Sequence, residues 1–386
     1  MSSAIDAFPA QPLPPWRRAV LKVGSSLLAG EGQGLSERHA AALAQFIVGA
    51  RAEGREILLV SSGAVAAGRG RLQAGGRGLA RRQALAALGQ GHLVAFWQQL
   101  TGLLTAQVLL CHDDMRNRRR YLNARATLRE LLDVGALPVI NENDTVAVDE
   151  LRLGDNDNLA AAVASLVDAD LLLIASDVEG LYSANPQSDP AARPIPRVAR
   201  VDDTLRRAAA GAAGAIGTGG MATKLEAASK AATAGIPTAL FSGRDATVLA
   251  ALAEGVLHGT FVEALSDRLT ARKQWLRHAP SAGRIRVDAG AVNALGRRGA
   301  SLLPGGVSSQ EGDFQRGDVV DVIDDSHGSM AIARGLVQYA ARDLQRIAGR
   351  RSDEITGVLG FSYGEAVIHR DDLVLLDHRA VNEGER

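Results

Sequence analysis

Six short apolar runs constrain the fold of this chain more than any other feature of its sequence. They are rich in Val, Ile and Leu and alternate with helix-like segments between about residues 16 and 265; they read AVLKVG, REILLVSSG, TAQVLLC, ALPVINEN, DLLLIASD and IPTALFSG. Strands that are apolar at nearly every position are typical of a parallel sheet covered on both faces. The pattern therefore predicts an α/β domain with three layers, in which helices cover both faces of a mainly parallel sheet.

A dense polar stretch begins at the end of one predicted strand. The sequence VINENDTVAVDELRLGDNDNLAA gathers Asp, Asn and Glu residues that are costly to bury without partners. Ligands of open α/β sheets bind beyond the carboxyl ends of the strands, so this position favours a binding site. The alternative is helix capping by the run Asp155 to Asn158, although one residue suffices for a cap.

Three glycine-containing turns follow predicted strands or precede predicted helices. They are KVGSS with Lys22, VSSGAVAAG with Ser62, and GTGGMATK, which ends at Lys224. Glycine lets backbone N–H groups approach a phosphate closely, and lysine adds a positive charge. A single turn of this kind is more often only a turn. Three together predict a phosphate site with two lysines.

Composition and missing motifs exclude several function classes. The sequence has no P-loop, no strand-following GxGxxG and no HExxH or CxxC metal pattern. Lys plus Arg and Asp plus Glu both number 43, and this zero net charge argues against nucleic-acid binding through bulk electrostatics. We interpret the run RNRRRYLNAR, residues 116–125, as the exposed face of a helix rather than as a nucleic-acid site.

The location of the protein is indicated by its single cysteine and by the length of its apolar runs. Cys111, which we interpret as a buried small apolar residue, cannot form an intrachain disulfide, as is common in a reducing compartment. No run is long enough to span a membrane. We therefore expect a cytoplasmic protein without membrane contact. Residues 1–15, with four prolines, are predicted to form a disordered arm.

The sequence pattern changes after about residue 270. Short strand-like runs and many glycines predict a small, mainly β domain. The predicted organisation is therefore an arm (1–15), a catalytic domain (16–265), a linker (266–281), a second domain (282–375) and a tail (376–386).

These motifs resemble those of the glutamate 5-kinases, a branch of the amino-acid kinase family. The matching stretches are KVGSS, VSSGAVAAGR, YLNARATLRELL, PVINENDTV, GDNDNLAA, DVEGLY, GTGGMATKL, SLLPGGV and EAVIHRDD. The second domain resembles a PUA domain. The resemblance implies the amino-acid kinase fold and ATP-dependent phosphorylation of the γ-carboxylate of L-glutamate, the first step of proline biosynthesis. It also implies Mg²⁺, feedback inhibition by proline, and a homo-oligomer, either a dimer or a tetramer.

The resemblance also implies roles for individual residues. Lys22 and Lys224 would contact the ATP phosphates and stabilise the transferring group, and Asp157 would hold the two lysines in place. The residues implied for glutamate binding are Ser62, Asp144 and Asn156.

The nucleotide site follows from the same resemblance. Asp155 would lie nearby, and no metal ligand among the protein side chains is assigned. Ser176 stands where the family often has Thr, and Ala222 where it often has Ser. The residues implied for ATP binding are Lys22, Ser176, Asp177, Thr218, Gly219, Gly220, Met221, Ala222, Thr223 and Lys224.

The implied chemistry agrees with the residue types. A γ-carboxylate is already ionised near neutral pH, so phosphoryl transfer needs in-line placement and charge cancellation rather than a general base. Two alternatives stay open. One is a kinase of the same fold that acts on a different carboxylate or phosphate acceptor, and the other is an RNA-binding role through the PUA-like domain.

Overall fold

The computed structural model describes residues 7–30, 34–69, 78–146, 156–186, 188–211, 220–326 and 330–376. The chain divides into two compact units. The first comprises Met1–Arg116 and Asn123–Arg268, and the second comprises Asn117–Leu122 and Leu269–Arg386. One boundary of this division, between Arg268 and Leu269, lies close to the change in sequence pattern near residue 270, whereas Asn117–Leu122 lies far from it. Within the described residues, no helix combines the length and apolarity needed to cross a membrane.

The first unit is built on an eight-stranded sheet in the order β4-β5-β3-β2-β6-β10-β12-β9. Its strands run parallel except that β12 is antiparallel to β10. All six predicted strands are present, which confirms the mainly parallel sheet. The strands are β2 (Arg18–Val23), β3 (Glu56–Ser61), β4 (Thr105–Leu110), β5 (Leu137–Glu142), β6 (Leu171–Ser176), β9 (Arg197–Val198), β10 (Thr238–Ser242) and β12 (Gly259–Val262).

Two pairs of short strands lie outside the main sheet of the first unit. They are β1 (Gln11–Pro12) with β11 (Val256–Leu257), and β7 (Leu181–Tyr182) with β8 (Pro194–Ile195). The helices up to residue 253 are α1 (Ser25–Leu28), α2 (Glu37–Ala52), α3 (Ala64–Arg69), α4 (Leu79–Thr101), α5 (His112–Arg116), α6 (Arg118–Asp133), α7 (Asn156–Leu166), α8 (Asp203–Gly211), α9 (Met221–Thr233) and α10 (Ala246–Ala253).

Helices cover both faces of the main sheet. Leu21 of β2 belongs to one apolar cluster with Ile47 of α2, Trp97 of α4 and Leu249 of α10. On the other face, α7 packs against strands β2, β3, β5 and β6 and against α9. Because side chains of a strand alternate between faces, Lys22 lies on the α7 face while Leu21 lies on the α2 face.

The prediction of a disordered arm over residues 1–15 is wrong for its described part. Phe8 is fully buried and meets the ring of Tyr182 edge-on at 5.3 Å between centroids. Strand β1 pairs with β11, and Pro12 is tolerated there because a two-residue strand at an edge loses little from a missing N–H. A single large apolar side chain therefore outweighs the prolines. Residues 1–6 lie outside the described residues.

The interpretation of residues 116–125 as an exposed helix face also needs correction. Arg116, Arg119 and Arg120 are exposed, but Arg125 is buried. Its guanidinium pairs with Asp168 at 2.6 Å. Asp168 has a positive φ of 56°, a conformation that Asp adopts more readily than most residues. Cys111 is half-buried, and burial raises the pKa of its thiol to about 11.

The second unit contains a five-stranded sheet in the order β14-β13-β15-β16-β17, with only β13 and β15 parallel. Residues such as Ile285, Phe314 and Tyr339 fill its core, which confirms a small domain made largely of strands. Its elements are α11 (Arg268–His278), β13 (Gly283–Val287), α12 (Ala289–Arg298), β14 (Val307–Glu311), β15 (Val319–Asp324), β16 (Ala331–Leu336), α13 (Ala341–Ile347), α14 (Ile355–Leu359), β17 (Leu373–Leu375) and 3-10 helices at Pro304–Gly306, Ser352–Glu354 and Arg370–Asp372.

Candidate functional site

Two lysines and one aspartate meet at the carboxyl edge of the main sheet. Lys22 Nζ lies 2.6 Å from Asp157 Oδ1, and Lys224 Nζ lies 3.3 Å from Asp157 Oδ2. The hydroxyl of Thr223 donates a 2.8 Å hydrogen bond to the same Oδ2. Asp157 is 0% exposed and the two lysines are 4% and 6% exposed. The structure therefore brings together the three residues that the sequence assigned to phosphate chemistry.

The local fold explains this meeting. Lys22 is the penultimate residue of the central strand β2, and its side chain points to the face that α7 covers. Asp157 lies in the first turn of α7, where the helix dipole favours a carboxylate. Lys224 lies near the start of α9, which packs along α7. The beginnings of two neighbouring helices thus converge on the end of one strand.

The neighbouring charges shift the pKa of Asp157 and of Lys224. Burial alone would raise the pKa of Asp157, but the adjacent Lys22 and Lys224 hold it below its usual value. Burial lowers the pKa of Lys224, and Lys22 adds to this effect while Asp157 opposes it. With both lysines protonated, the group carries one net positive charge away from water. A buried group with this net charge favours the binding of an anion.

A chain of buried amides lies beside the charged group. Asn156 Nδ2 donates to Ser62 Oγ at 2.7 Å and to Asn141 Oδ1 at 2.9 Å. Asn141 in turn donates to Gln90 Oε1 at 2.9 Å. Asn156 Oδ1 is buried and accepts no hydrogen bond from the described residues. Because buried acceptors are nearly always paired, this oxygen is suited to a donor from a ligand.

Asn141 and Gln90 were not among the residues predicted for the site. Asn141 lies in β5 within the PVINEND motif, so this motif could have indicated Asn141 as a site residue. Gln90 lies in the middle of the long helix α4, where neither its spacing nor its neighbours mark it as special. Only the three-dimensional arrangement connects Gln90 to the amide chain.

Asp144 lies in a turn just after β5, at the same edge of the sheet. Burial and, secondly, the nearby Glu142 raise the pKa of Asp144 to about 6, while Arg82 opposes the shift. Asp144 makes no hydrogen bond to Ser62 or Asn156 within the described part of the chain. The structure therefore places Asp144 after β5, at the same edge, without a hydrogen bond to the other described residues predicted for glutamate binding.

The described residues predicted for nucleotide binding lie at the ends of β2 and β6 and at the start of α9. Ser176 ends β6 and is buried, and its hydroxyl donates to Asp177 Oδ1 at 3.3 Å. Gly220 precedes α9 with extended backbone and provides no side-chain cap, so the first N–H groups of the helix can face a phosphate. Thr218, Gly219 and Asp155 lie outside the described residues.

Comparison with family models and known proteins gives consistent matches. The model of the amino acid kinase family matches residues 17–242, and the PUA domain model matches residues 283–359. The chain is 61% identical over 362 residues to glutamate 5-kinase of Xanthomonas campestris pv. campestris (strain 8004), covering 92% of this chain and 100% of that protein. It is 57% identical over 375 residues to glutamate 5-kinase of Xylella fastidiosa (strain M12), covering 96% and 98%.

Among solved structures, the chain resembles the UMP kinase of Bacillus anthracis. The TM-score is 0.45 at 17% sequence identity, and the match covers 66% of this chain and 98% of that chain.

Proposed function

The chain belongs to the amino acid kinase family, and from this premise we propose that it is a glutamate 5-kinase. The proposed reaction transfers the γ-phosphoryl group of ATP to the γ-carboxylate of L-glutamate, the first step of proline biosynthesis. The observation that carries this proposal is the buried Lys22–Asp157–Lys224 group beside an amide chain with an unfilled acceptor. The charged group suits a phosphate, and the amide chain suits an amino acid.

In the proposed reaction, a γ-carboxylate oxygen attacks the γ-phosphorus of ATP, and the bond from this phosphorus to the β,γ-bridging oxygen breaks. ADP leaves with the electron pair of that bond, and an acyl phosphate forms. No proton moves, because the attacking carboxylate is ionised near neutral pH. Lys22 and Lys224 stabilise the charge of the transferring group, and Asp157 fixes both ammonium groups in a preorganised position.

The amide chain is the proposed binding site of the glutamate substrate. Asn156 Oδ1 accepts from the substrate ammonium, while Ser62 and Asn141 hold the Asn156 amide in this orientation. Gln90 supports Asn141 from the helix behind it. Asp144, when ionised, provides a countercharge for the ammonium at the same edge.

Mg²⁺ is part of the proposed reaction as a partner of the nucleotide. No group of three or more potential metal ligands occurs among the described residues. Both oxygens of Asp157 face lysine ammonium groups, so this carboxylate does not suit a cation. We therefore assign Mg²⁺ to the ATP phosphates, a common mode for this ion, and derive no step from it.

A hydroxamate assay tests the proposal. Purified protein receives ATP, Mg²⁺, hydroxylamine and either L-glutamate or L-aspartate, and the acyl phosphate is trapped as a coloured hydroxamate. We expect signal with glutamate alone. Signal with aspartate instead would identify aspartate as the phosphate acceptor, and no signal with either amino acid would contradict the proposed function.

Matched lysine variants of α9 connect this activity to the site. We expect Lys224→Ala to lose on the order of 10²-fold or more in turnover, since one preorganised electrostatic contact is lost. Lys230→Ala is the control, because Lys230 lies in the same helix and is exposed, and it pairs with Glu226 and Asn158 rather than with Asp157. Near-normal turnover of a folded Lys224→Ala variant would show that Lys224 does not take part in the reaction.

The remaining expectations stay predictions. Inhibition by proline is tested by adding proline to the hydroxamate assay, and the homo-oligomer by light scattering of the purified chain. Contact with RNA through the PUA domain is tested by salt-dependent retention of RNA on the full chain. The cytoplasmic location is tested by cell fractionation.

A further inference from the structure

Arg244 lies beside the nucleotide residues but belongs to none of the motifs described above. It follows β10, whose last residue Ser242 is paired in parallel register with Ser176, the last residue of β6. The residues just beyond these two strands are therefore neighbours. Arg244 Nη2 lies 3.6 Å from Asp177 Oδ2, and both side chains are about half exposed.

Charges of alternating sign connect Arg244 to the buried lysines. Asp177 acts on Lys224, since it opposes the effect of burial on the pKa of that lysine. Lys224 pairs with Asp157, which pairs with Lys22. The row therefore holds three cations and two carboxylates, and Arg244 is its solvent-facing end.

The N–H groups of the Arg244 guanidinium are available to hydrogen-bond a ligand. Its 3.6 Å contact with Asp177 is an ion pair but too long for a hydrogen bond. Within the described part of the chain, no hydrogen bond of this guanidinium occurs. Half-exposed ion pairs contribute little to stability, so the fold alone gives little reason for the position of Arg244.

We propose that Arg244 binds the phosphates of the nucleotide that are not transferred, and that its guanidinium turns from Asp177 toward them. The planar guanidinium fork matches phosphate oxygens, which bind it more strongly than a distant carboxylate does. Arg244 is assigned to the phosphates that stay with ADP because Lys22 and Lys224 are assigned to the transferring group. This inference rests on the proposed function.

The test compares Arg244→Gln with Arg197→Gln. Arg197 is a matched control, because it lies in the same unit, is 58% exposed and pairs with the carboxylate of Glu263. For Arg244→Gln we expect the KM for ATP and the dissociation constant of ADP to rise together by about tenfold, the effect of one charge-assisted contact. We expect kcat and the KM for glutamate to stay within about twofold. Arg244→Lys should recover part of the loss.

Calorimetric titration of ADP separates this inference from the proposed function. If the unmodified protein neither binds ADP nor phosphorylates glutamate, the proposed function fails. If it does both, and Arg244→Gln binds ADP as tightly as Arg197→Gln does, only the role of Arg244 is overturned. A lower Tm with unchanged ADP binding would likewise mark Arg244 as structural and overturn the inference.

Discussion

Replacing Asp157 with Asn removes the one carboxylate that two buried ammonium groups share. At an effective dielectric constant of about 20, a separation of 2.6 Å from Lys22 corresponds to about 6 kcal/mol of attraction, and 3.3 Å from Lys224 to about 5 kcal/mol. Desolvation of the charges offsets most of this gain. Breaking a buried pair by removing one partner costs about 3–5 kcal/mol, and we expect this loss in the free energy of unfolding of Asp157→Asn.

Urea denaturation followed by circular dichroism measures this loss, and the hydroxamate assay measures turnover in parallel. We expect turnover to fall by on the order of 10²-fold or more, because the lysines lose their fixed positions. Asp203→Asn is the control, since Asp203 also lies in the first turn of a helix but is exposed. A stability loss below about 1 kcal/mol with turnover within tenfold of the unmodified protein would refute the reasoning.

The pH dependence of the Asp157 contribution has a defined sign. The pKa of Asp157 is lowered in the folded state, so the folded protein binds fewer protons at this carboxyl than the unfolded chain does. Its stabilising contribution is therefore present above the unfolded value of 3.8 and is lost as the pH falls through the folded value. Asp157→Asn should show a weaker loss of stability in that acidic range.

Three further predictions concern other residues. The KM for glutamate should rise as the pH falls below about 6, because Asp144 then becomes protonated, and Asp144→Asn should flatten this pH profile. Phe8→Ala should lower the free energy of unfolding by about 3–5 kcal/mol in urea denaturation, and an unchanged midpoint would contradict the burial of Phe8. Arg125→Met should lose less free energy of unfolding than Arg125→Ala if the packing of the buried stem of Arg125 dominates. Equal losses in the two variants would identify the ion pair with Asp168 as the larger contribution.

The sequence predicts the main sheet well because its strands are buried on both faces. A run such as DLLLIASD leaves few alternatives to a central strand, and β6 spans Leu171–Ser176 accordingly. Phe8 shows the opposite case. Its burial depends on Tyr182 and on space above Gly180, where an added Cβ would lie 2.7 Å from the Phe8 ring. No local pattern reports such a distant contact, and nearby prolines suggest disorder instead.

The candidate site divides in the same way. Lys22, Asp157 and Lys224 stand in separate motifs that each follow a strand or begin a helix, so the rules of α/β sheets bring them to one edge. Gln90 lies in the middle of a long helix whose sequence does not mark it, and its partner Asn141 comes from another element, so sequence alone gives no reason to single out Gln90.

The central place of β2 in the sheet has a consequence for biosynthesis. β2 precedes β3 and β6 in the chain and is translated before them, yet it lies between them in the sheet. Lys22 meets Asp157 only after α7 has been translated, and Lys224 arrives later still. A nascent chain that ends before α7 therefore contains the middle of the sheet without its neighbouring strand and a lysine without its carboxylate. Such a chain exposes apolar strand edges and is prone to aggregation until α7 and β6 have been translated.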